Sequence, residues 1–360
     1  MRAARPRCAS ALVALALLAG CESAPDRGDE PPRDPVVFSA PLKSPAAPER
    51  QPSANGDALA RESREILARY NARVARLESL FARLTMEMRL PDETGEIVSE
   101  QAEGQLLLRR PTRLALFVNK VGETYFQLGC NDRAYWWLDL REPRTAMAGR
   151  HDRARAETAA EFGIFVHPLD LIELLAVMPL DADAPGTRLV REGATLTLTQ
   201  PARWGEREVV LDASTARPIS IALLTRDAQG RSTDAARATY ERFAPVNVRG
   251  GLGEGNTLDP EMPVRLRLVV PASRAEVRMN LFDPENRGDT REAPYSLQEL
   301  TERYGIQRLI NLDEQDPAEI RRARDEAARA RREKEAAEGK ARGAQEPSQL
   351  EPSQLERAGP

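Results

Sequence analysis

Apolar and polar positions alternate in short runs from Thr85 to about residue 282, the period-two signature of strands with one buried face. The alternation predicts strands at 84–90, 104–109, 113–120, 123–130, 133–140, 144–149, 187–192, 195–200, 206–212, 218–226, 234–243, 263–270 and 276–282. Turn residues separate them closely, among them Pro91-Asp92, Gly122, Asn131-Asp132, Gly193, Gly205 and Gln229-Gly230, which favours antiparallel hairpins over crossovers. Two stretches break the rhythm. From Asp57, a plausible N-cap, to about Leu84 the residues Leu59, Ile66, Leu67, Tyr70, Val74, Leu77, Leu80 and Phe81 recur at helical spacing. Residues 167–178 read as a short helix that is apolar almost all round, and such a helix must be covered on several sides. The expected class is mainly β (α+β), with the long N-terminal helix packed on a sheet.

The two ends of the chain carry other patterns. Arg2, Arg5 and Arg7 precede an uncharged run of thirteen residues, Cys8 to Gly20. At 1.5 Å per helical residue that run covers about 20 Å of a hydrocarbon layer about 30 Å thick, too short for a comfortable membrane span. A basic start, a short apolar middle and small residues before a boundary make a secretory signal, here 1–20. Leu18-Ala19-Gly20-Cys21 resembles the lipobox of bacterial lipoproteins, which implies cleavage before Cys21 and lipid on its sulfur and new amino group. Residues 21–56 are then a lipidated cysteine and a Pro-rich tether with no apolar period, unable to offset its ordering entropy. Residues 57–313 form the folded domain. The tail, 314–360, is rich in Ala, Arg and Glu and ends in the repeated EPSQL, low-complexity sequence expected to be exposed.

Composition narrows the chemistry. Loss of Arg2, Arg5 and Arg7 leaves 49 basic against 56 acidic residues, a net charge of −7 that argues against a nucleic-acid partner. Once Cys8 leaves with the signal and Cys21 takes lipid, Cys130 is the one thiol left, so no intrachain disulfide or cysteine-rich metal site is expected. Two histidines, His151 and His167, suit solvated or capping positions, His167 at a helix start. No nucleophile elbow, zinc-protease helix or phosphate loop occurs, and the glycine-rich 249–257 lacks the Lys-Ser/Thr and the helix that a phosphate cradle needs. Catalysis, cofactors and metals are therefore not expected.

The aromatic stretch 125–140 reads as a hairpin in which Trp136 and Trp137 point to opposite faces, so both faces of the sheet meet apolar material. One face can contact the long helix, and the other is either closed core or a cavity. GQLLLRRPTRLALFV (104–118) and LDASTARPISIALLTRDAQGR (211–231) resemble recurrent segments of the LolA/LolB-like carriers and receptors of bacterial lipoproteins, and the likeness in order of parts covers about 60–285. The resemblance implies a strongly curved, unclosed antiparallel half-barrel, lidded by helices, whose apolar concave face accepts acyl chains. It places Arg110 as the latch of a lid made by 167–178 and part of the first helix; a guanidinium suits this with its fixed fork of donors. Candidate cavity-lining or core residues are Leu114, Leu116, Phe117, Phe126, Leu128, Trp136, Trp137, Leu171, Leu174, Leu175 and Met178.

Together these readings predict a lipid-anchored, periplasm-facing protein that binds acyl chains or lipoproteins. Glu22 after the lipidated cysteine permits outer-membrane sorting under the rule best known from enteric bacteria. A non-catalytic sensor or interaction protein of the same fold is the alternative, its protein partner unknown. The intact mass of the mature protein checks the anchor. A chain beginning at a diacylglyceryl-modified Cys21 is expected, and an unmodified residue 21 excludes it.

Overall fold

The structure, a computed structural model, describes residues 54–91, 95–120, 122–155, 158, 166–226, 229–248, 260–287, 291–320 and 322. The signal segment, Cys21, nearly all of the tether, the 249–257 glycines and most of the tail lie outside the described residues. The chain divides into two compact units, Met1–Asp313 and Glu314–Pro360. In the second, the described residues begin a helix in which Asp316 Oδ1 accepts from the Ala318 N–H at 2.9 Å, an N-terminal cap.

The first unit opens with α1 (Ala54–Val74), then runs through β1 (Ser79–Pro91), β2 (Ile97–Arg109), β3 (Arg113–Lys120), β4 (Glu123–Cys130), β5 (Ala134–Asp139) and β6 (Thr145–Arg150). After α2 (Pro168–Leu174) come β7 (Arg188–Glu192), β8 (Thr195–Ala202), β9 (Gly205–Asp212), β10 (Pro218–Arg226) and β11 (Ser232–Pro245). The chain continues as β12 (Asn247–Val248), β13 (Glu261–Val270), β14 (Ala275–Asn286), α3 (Leu297–Tyr304) and β15 (Arg308–Asn311). The described strands form one sheet in the order β15-β6-β5-β4-β3-β2-β1-β14-β13-β11-β10-β9-β8-β7, with the short β12 beside β14. Pairing is antiparallel except where β12 meets β14 and β15 meets β6.

This sheet is rolled. The seven-residue α2, about 10 Å long, contacts β3 and β4 on one side and β10 on the other. Between β4 and β10 lie seven strand spacings, about 34 Å if the sheet were flat. Only a sheet curved around the helix brings both walls to it. The two edges, β15 and β7, do not pair with each other, so the roll is unclosed.

Alternation decides which side chains enter the roll. Leu80, Ala82, Leu84 and Met86 of β1, Leu106 and Leu108 of β2 and Leu114, Leu116 and Val118 of β3 join one contiguous core with the inward residues of α1 and α2. The opposite face buries a smaller set: Trp136, Leu138 and Ala146 pack against Leu300 of α3, and Leu107 and Ala115 against Tyr295. Trp136 lies flat over the neighbouring strand, where a Cβ at Gly129 would stand 2.6 Å from its indole nitrogen. Only glycine allows that approach.

Several boundaries differ from the sequence reading, among them β2, which starts at Ile97 rather than 104, and those of both helices. The first helix starts at Ala54 rather than Asp57 and stops at Val74, not near Leu84. Leu80 fits both periods, and the alternation Leu80, Ala82, Leu84, Met86 wins because β1 pairs along its whole length with β2 and from Leu80 to Arg89 with β14. The second helix spans Pro168–Leu174, ending before 178, where Leu175 caps it and Ala176 takes a φ of 55°. The long helix covers the inner face alone; the outer face is covered by α3, with β15 at the adjoining edge, neither of them among the predicted elements. The capping box Ser296-Leu297-Gln298-Glu299 and Gly305 just past the end are the signals that mark α3, with Ser296 Oγ accepting from the Glu299 N–H at 3.3 Å.

Candidate functional site

The concave face of the sheet is lined mostly by aliphatic side chains, with Phe126, Tyr135 and Trp137 among them, and α1 and α2 fill it. Leu171, Ile172, Leu174 and Leu175 project into the main core with exposures of 7% or less, beside Ile66, Leu67, Tyr70 and Val74 of α1. The hollow implied by the sequence is thus plugged in this structure by the chain's own helices. A void of about 10 Å³ bordered by Tyr70, Ala176 and Phe243 is at the limit for a single water.

What fastens the plug is a row of side-chain donors on backbone carbonyls. A chain leaving a helix of two turns exposes carbonyls with no intrahelical partner, and here they are met one by one. Tyr240 Oη donates to Leu174 O at 2.8 Å, and Tyr70 Oη bridges Ala176 O at 3.1 Å and Met178 O at 2.9 Å. Arg110 donates from Nη1 to Val177 O and from Nη2 to Ala75 O, both at 3.0 Å. Asn71 closes the row, exchanging two 2.8 Å bonds with the N–H and carbonyl of Leu180. Arg110 therefore clamps the exits of both helices from the end of β2. Burial pulls its pKa below the ordinary arginine value, opposed by Glu78 and Tyr70. Burial likewise raises the Tyr70 and Tyr240 phenols, which stay neutral donors.

The first turn of α2 rests in a second polar cluster. His167 Nδ1 accepts from the Leu169 N–H at 3.1 Å, a side-chain N-cap, and its ring packs edge-on against Tyr135 of β5 at 4.5 Å and Trp204 of the β8–β9 turn at 5.5 Å. His151 lies 5.3 Å away and donates from Nε2 to Asn131 O. Burial, reinforced by Arg203 and His151, holds the His167 imidazole down at about 2. Burial and then Glu173 push the Asp170 carboxyl up to about 7, against the pull of Arg203 at 3.9 Å. Burial thus disfavours the charged form of both groups beside α2.

Of the residues singled out in the sequence, Leu114, Leu116, Leu128, Trp137, Leu171, Leu174 and Leu175 lie in the inner core, with Phe126 and Met178 partly buried against it. Phe117 and Trp136 belong to the outer face under α3, because β-strand alternation turns each away from its inward neighbour. They do not line the hollow. Cys21 lies outside the described residues. Cys130 is buried, donates to Thr112 O at 3.0 Å, and has its thiol pushed up to about 12 by burial, so it is an inert core group. Asp132 pairs with Arg113 at 2.7 Å and Asp139 with Arg141 at 2.5 Å. The β9–β10 turn is pinned to α1, for Arg69 donates to Ala213 O and Ser214 O at 2.6 and 2.9 Å. The carbonyl contacts of Tyr70, Asn71 and Tyr240 were not legible in the sequence, since tyrosines in apolar patterns read as core and an asparagine on a helix reads as surface.

No family model and no curated protein matches this chain. Among solved structures it is similar to a LolA superfamily protein from Nitrosomonas europaea, with 14% identity and a TM-score of 0.41 over 66% of this chain and 98% of that one. It is also similar to a putative outer membrane lipoprotein-sorting protein domain from Vibrio parahaemolyticus, with 12% identity and a TM-score of 0.44 over 66% and 99%. A DUF1329 family protein from Desulfovibrio piger follows at 10% identity and 0.41 over 65% and 98%.

The buried pair His167 and Asp170 sets a pH signature with opposite signs. Between about pH 2 and 6.5 the unfolded chain protonates His167 and the folded chain does not, so this contribution grows as pH rises. Between about pH 3.8 and 7 the folded chain keeps the Asp170 proton that the unfolded chain loses, so that contribution shrinks as pH rises. The two oppose each other over the shared window. Asp170→Asn should leave the histidine slope, up to about 1.4 kcal/mol per pH unit, and the urea midpoint should climb more steeply from pH 4 to 6.5 than in the parent. A profile parallel to the parent's contradicts a protonated Asp170.

Proposed function

We propose that this protein is a non-catalytic, membrane-anchored binder of acyl chains, free or carried on lipoproteins, and that α1 and α2 are the lid of its binding hollow. The observation that carries the reading is what fills the roll. It is plugged by a two-turn helix and one face of a longer one, both tied down at their exits by Arg110, Tyr70, Tyr240 and Asn71. In this reading Arg110 is the latch, the structure is the closed state, and the inward residues of β3, β4 and β5 become ligand contacts when α2 lifts. Lipid on Cys21 would hold the body beside a bilayer, the outer membrane by the Glu22 rule, and the tether would let it reach.

The magnitudes allow exchange. Burying four aliphatic side chains of α2 stabilises the closed state by roughly 6–12 kcal/mol, and about fifteen acyl methylenes recover about 12 kcal/mol when they take that place. The balance then falls on the latch bonds, each contributing about 0.5–1.5 kcal/mol, more for those from a guanidinium.

The filled hollow also favours a second reading, an envelope sensor or interaction protein in which the sheet is a scaffold and the helices never lift. Titration of a fluorescent fatty-acyl probe into the chain lacking residues 1–21 separates the two. The binder reading predicts saturable one-to-one binding, tightened on the order of tenfold in Arg110→Leu because the latch no longer opposes opening. Saturable binding untouched by Arg110→Leu removes the latch role, and no saturable binding in either protein selects the second reading.

A further inference from the structure

The rolled sheet has a gap on the β7 side, and a cavity of about 250 Å³ sits in it, between α1 and that edge strand. Its wall is of two kinds. Ala60, Leu189 and Ala182 supply apolar surface, and Leu189 and Ala182 pack against the main core, so the floor of the cavity is continuous with the apolar interior. Ser63, Arg64, Arg191 and the carboxylate of Asp183 supply polar atoms.

Arg191 is the informative one. Its side chain is 15% exposed, Nη1 donates to Thr195 O at 2.9 Å, and Nε is buried with no hydrogen-bond partner among the described residues. A buried donor left unmatched is unfavourable, so an acceptor that reached it would be held firmly. The acids nearby do not serve it well. Glu62 stands 3.5 Å from Arg191 and Asp183 stands 3.8 Å from Arg64, beyond the about 2.7–2.9 Å of a charge-assisted hydrogen bond. A ligand carboxylate would displace loose ion pairs rather than tight ones, and a guanidinium meets a carboxylate with two parallel bonds.

We propose that this cavity is the mouth of the acyl site and its headgroup subsite, selecting a single-chain amphiphile with a carboxylate head that bonds Arg191, with Arg64 closing over it from α1. The inference rests on the acyl-binding reading and specifies its ligand. The size fits that division of labour. At about 250 Å³ the space falls below the about 300–1,000 Å³ that encloses a drug-sized ligand, so it holds the head and first carbons while the rest of the chain enters under the lid.

The test compares a fluorescent long-chain fatty acid with the fatty alcohol of the same chain at pH 7.5, using the full-length chain carrying Cys21→Ser so that no attached lipid competes. The acid should bind at least about tenfold more tightly than the alcohol, the effect of hydrogen bonds to an ionised group. In Arg191→Met that preference should vanish while alcohol binding stays, and in Arg64→Gln it should fall severalfold. Should Arg191→Met fail to fold, Arg64→Gln decides, because Arg64 is exposed and donates to no backbone group among the described residues. Equal binding of acid and alcohol to the parent, or an acid preference that survives Arg64→Gln and any folded Arg191→Met, overturns the headgroup assignment and leaves acyl binding standing. If neither ligand binds the parent, it is the acyl-binding reading itself that fails.

Discussion

A sheet this wide can bury its inner face only by rolling up around something, and in this protein that something is the seven-residue α2 together with one face of α1. α2 touches strands that would be about 34 Å apart in a flat sheet. That contact requires the sheet to curve, and the curved sheet buries its apolar face against α2 and α1 together. Because α2 is too short to be stable alone, it depends on tertiary contacts at every level. Its leucines are held by the walls, its N-terminus by His167, and the carbonyls at and beyond its C-terminus by side chains from α1, β2 and β11.

The two faces of the sheet are protected by different means. Inside, burial is mostly aliphatic, with Tyr135 and Trp137 among it, and polar groups meet α2 at the carbonyl row, at His167 and Asp170, and at the Arg207–Glu173 ion pair of 3.3 Å. Outside, the chain after β14 returns as α3 and β15, covering Trp136 and extending the β6 edge, while Arg109 and Arg113 bond Glu292 at the start of that return. The outer cover is fixed by matched ion pairs on the surface, whereas the inner plug is fixed by donors reaching for backbone. A plug held through backbone carbonyls can be released without changing any side chain of the plug itself, which is what a lid requires.

Much of this was legible in the sequence. Period-two alternation located most of the strands to within a few residues, since a half-buried strand writes its face into every second position. The Arg-Pro at 110 and 111 singled out Arg110 in the sequence, but its partners, the carbonyls of Ala75 and Val177, leave no trace in residue identity. That is why Tyr70, Asn71 and Tyr240 were missed: a side chain that bonds backbone selects no partner residue. The end of α1 was misplaced because Leu80 satisfies both periods, and only the partners of β1 decide between them. β15 is four residues paired in parallel with β6, too short for alternation to be read. Whether the hollow was open or filled was beyond the sequence, because leucines facing leucines read the same in either case.

The central claim is that the helix inside the roll leaves its seat when an acyl chain arrives. Spin labels at Glu173→Cys on α2 and Arg278→Cys on the outer side of β14 report that movement directly as a distance distribution. With a saturating long-chain fatty acid the distribution should shift outward by several Å, to a population absent without ligand. A ligand that binds saturably while the distance stays where it is would contradict the account.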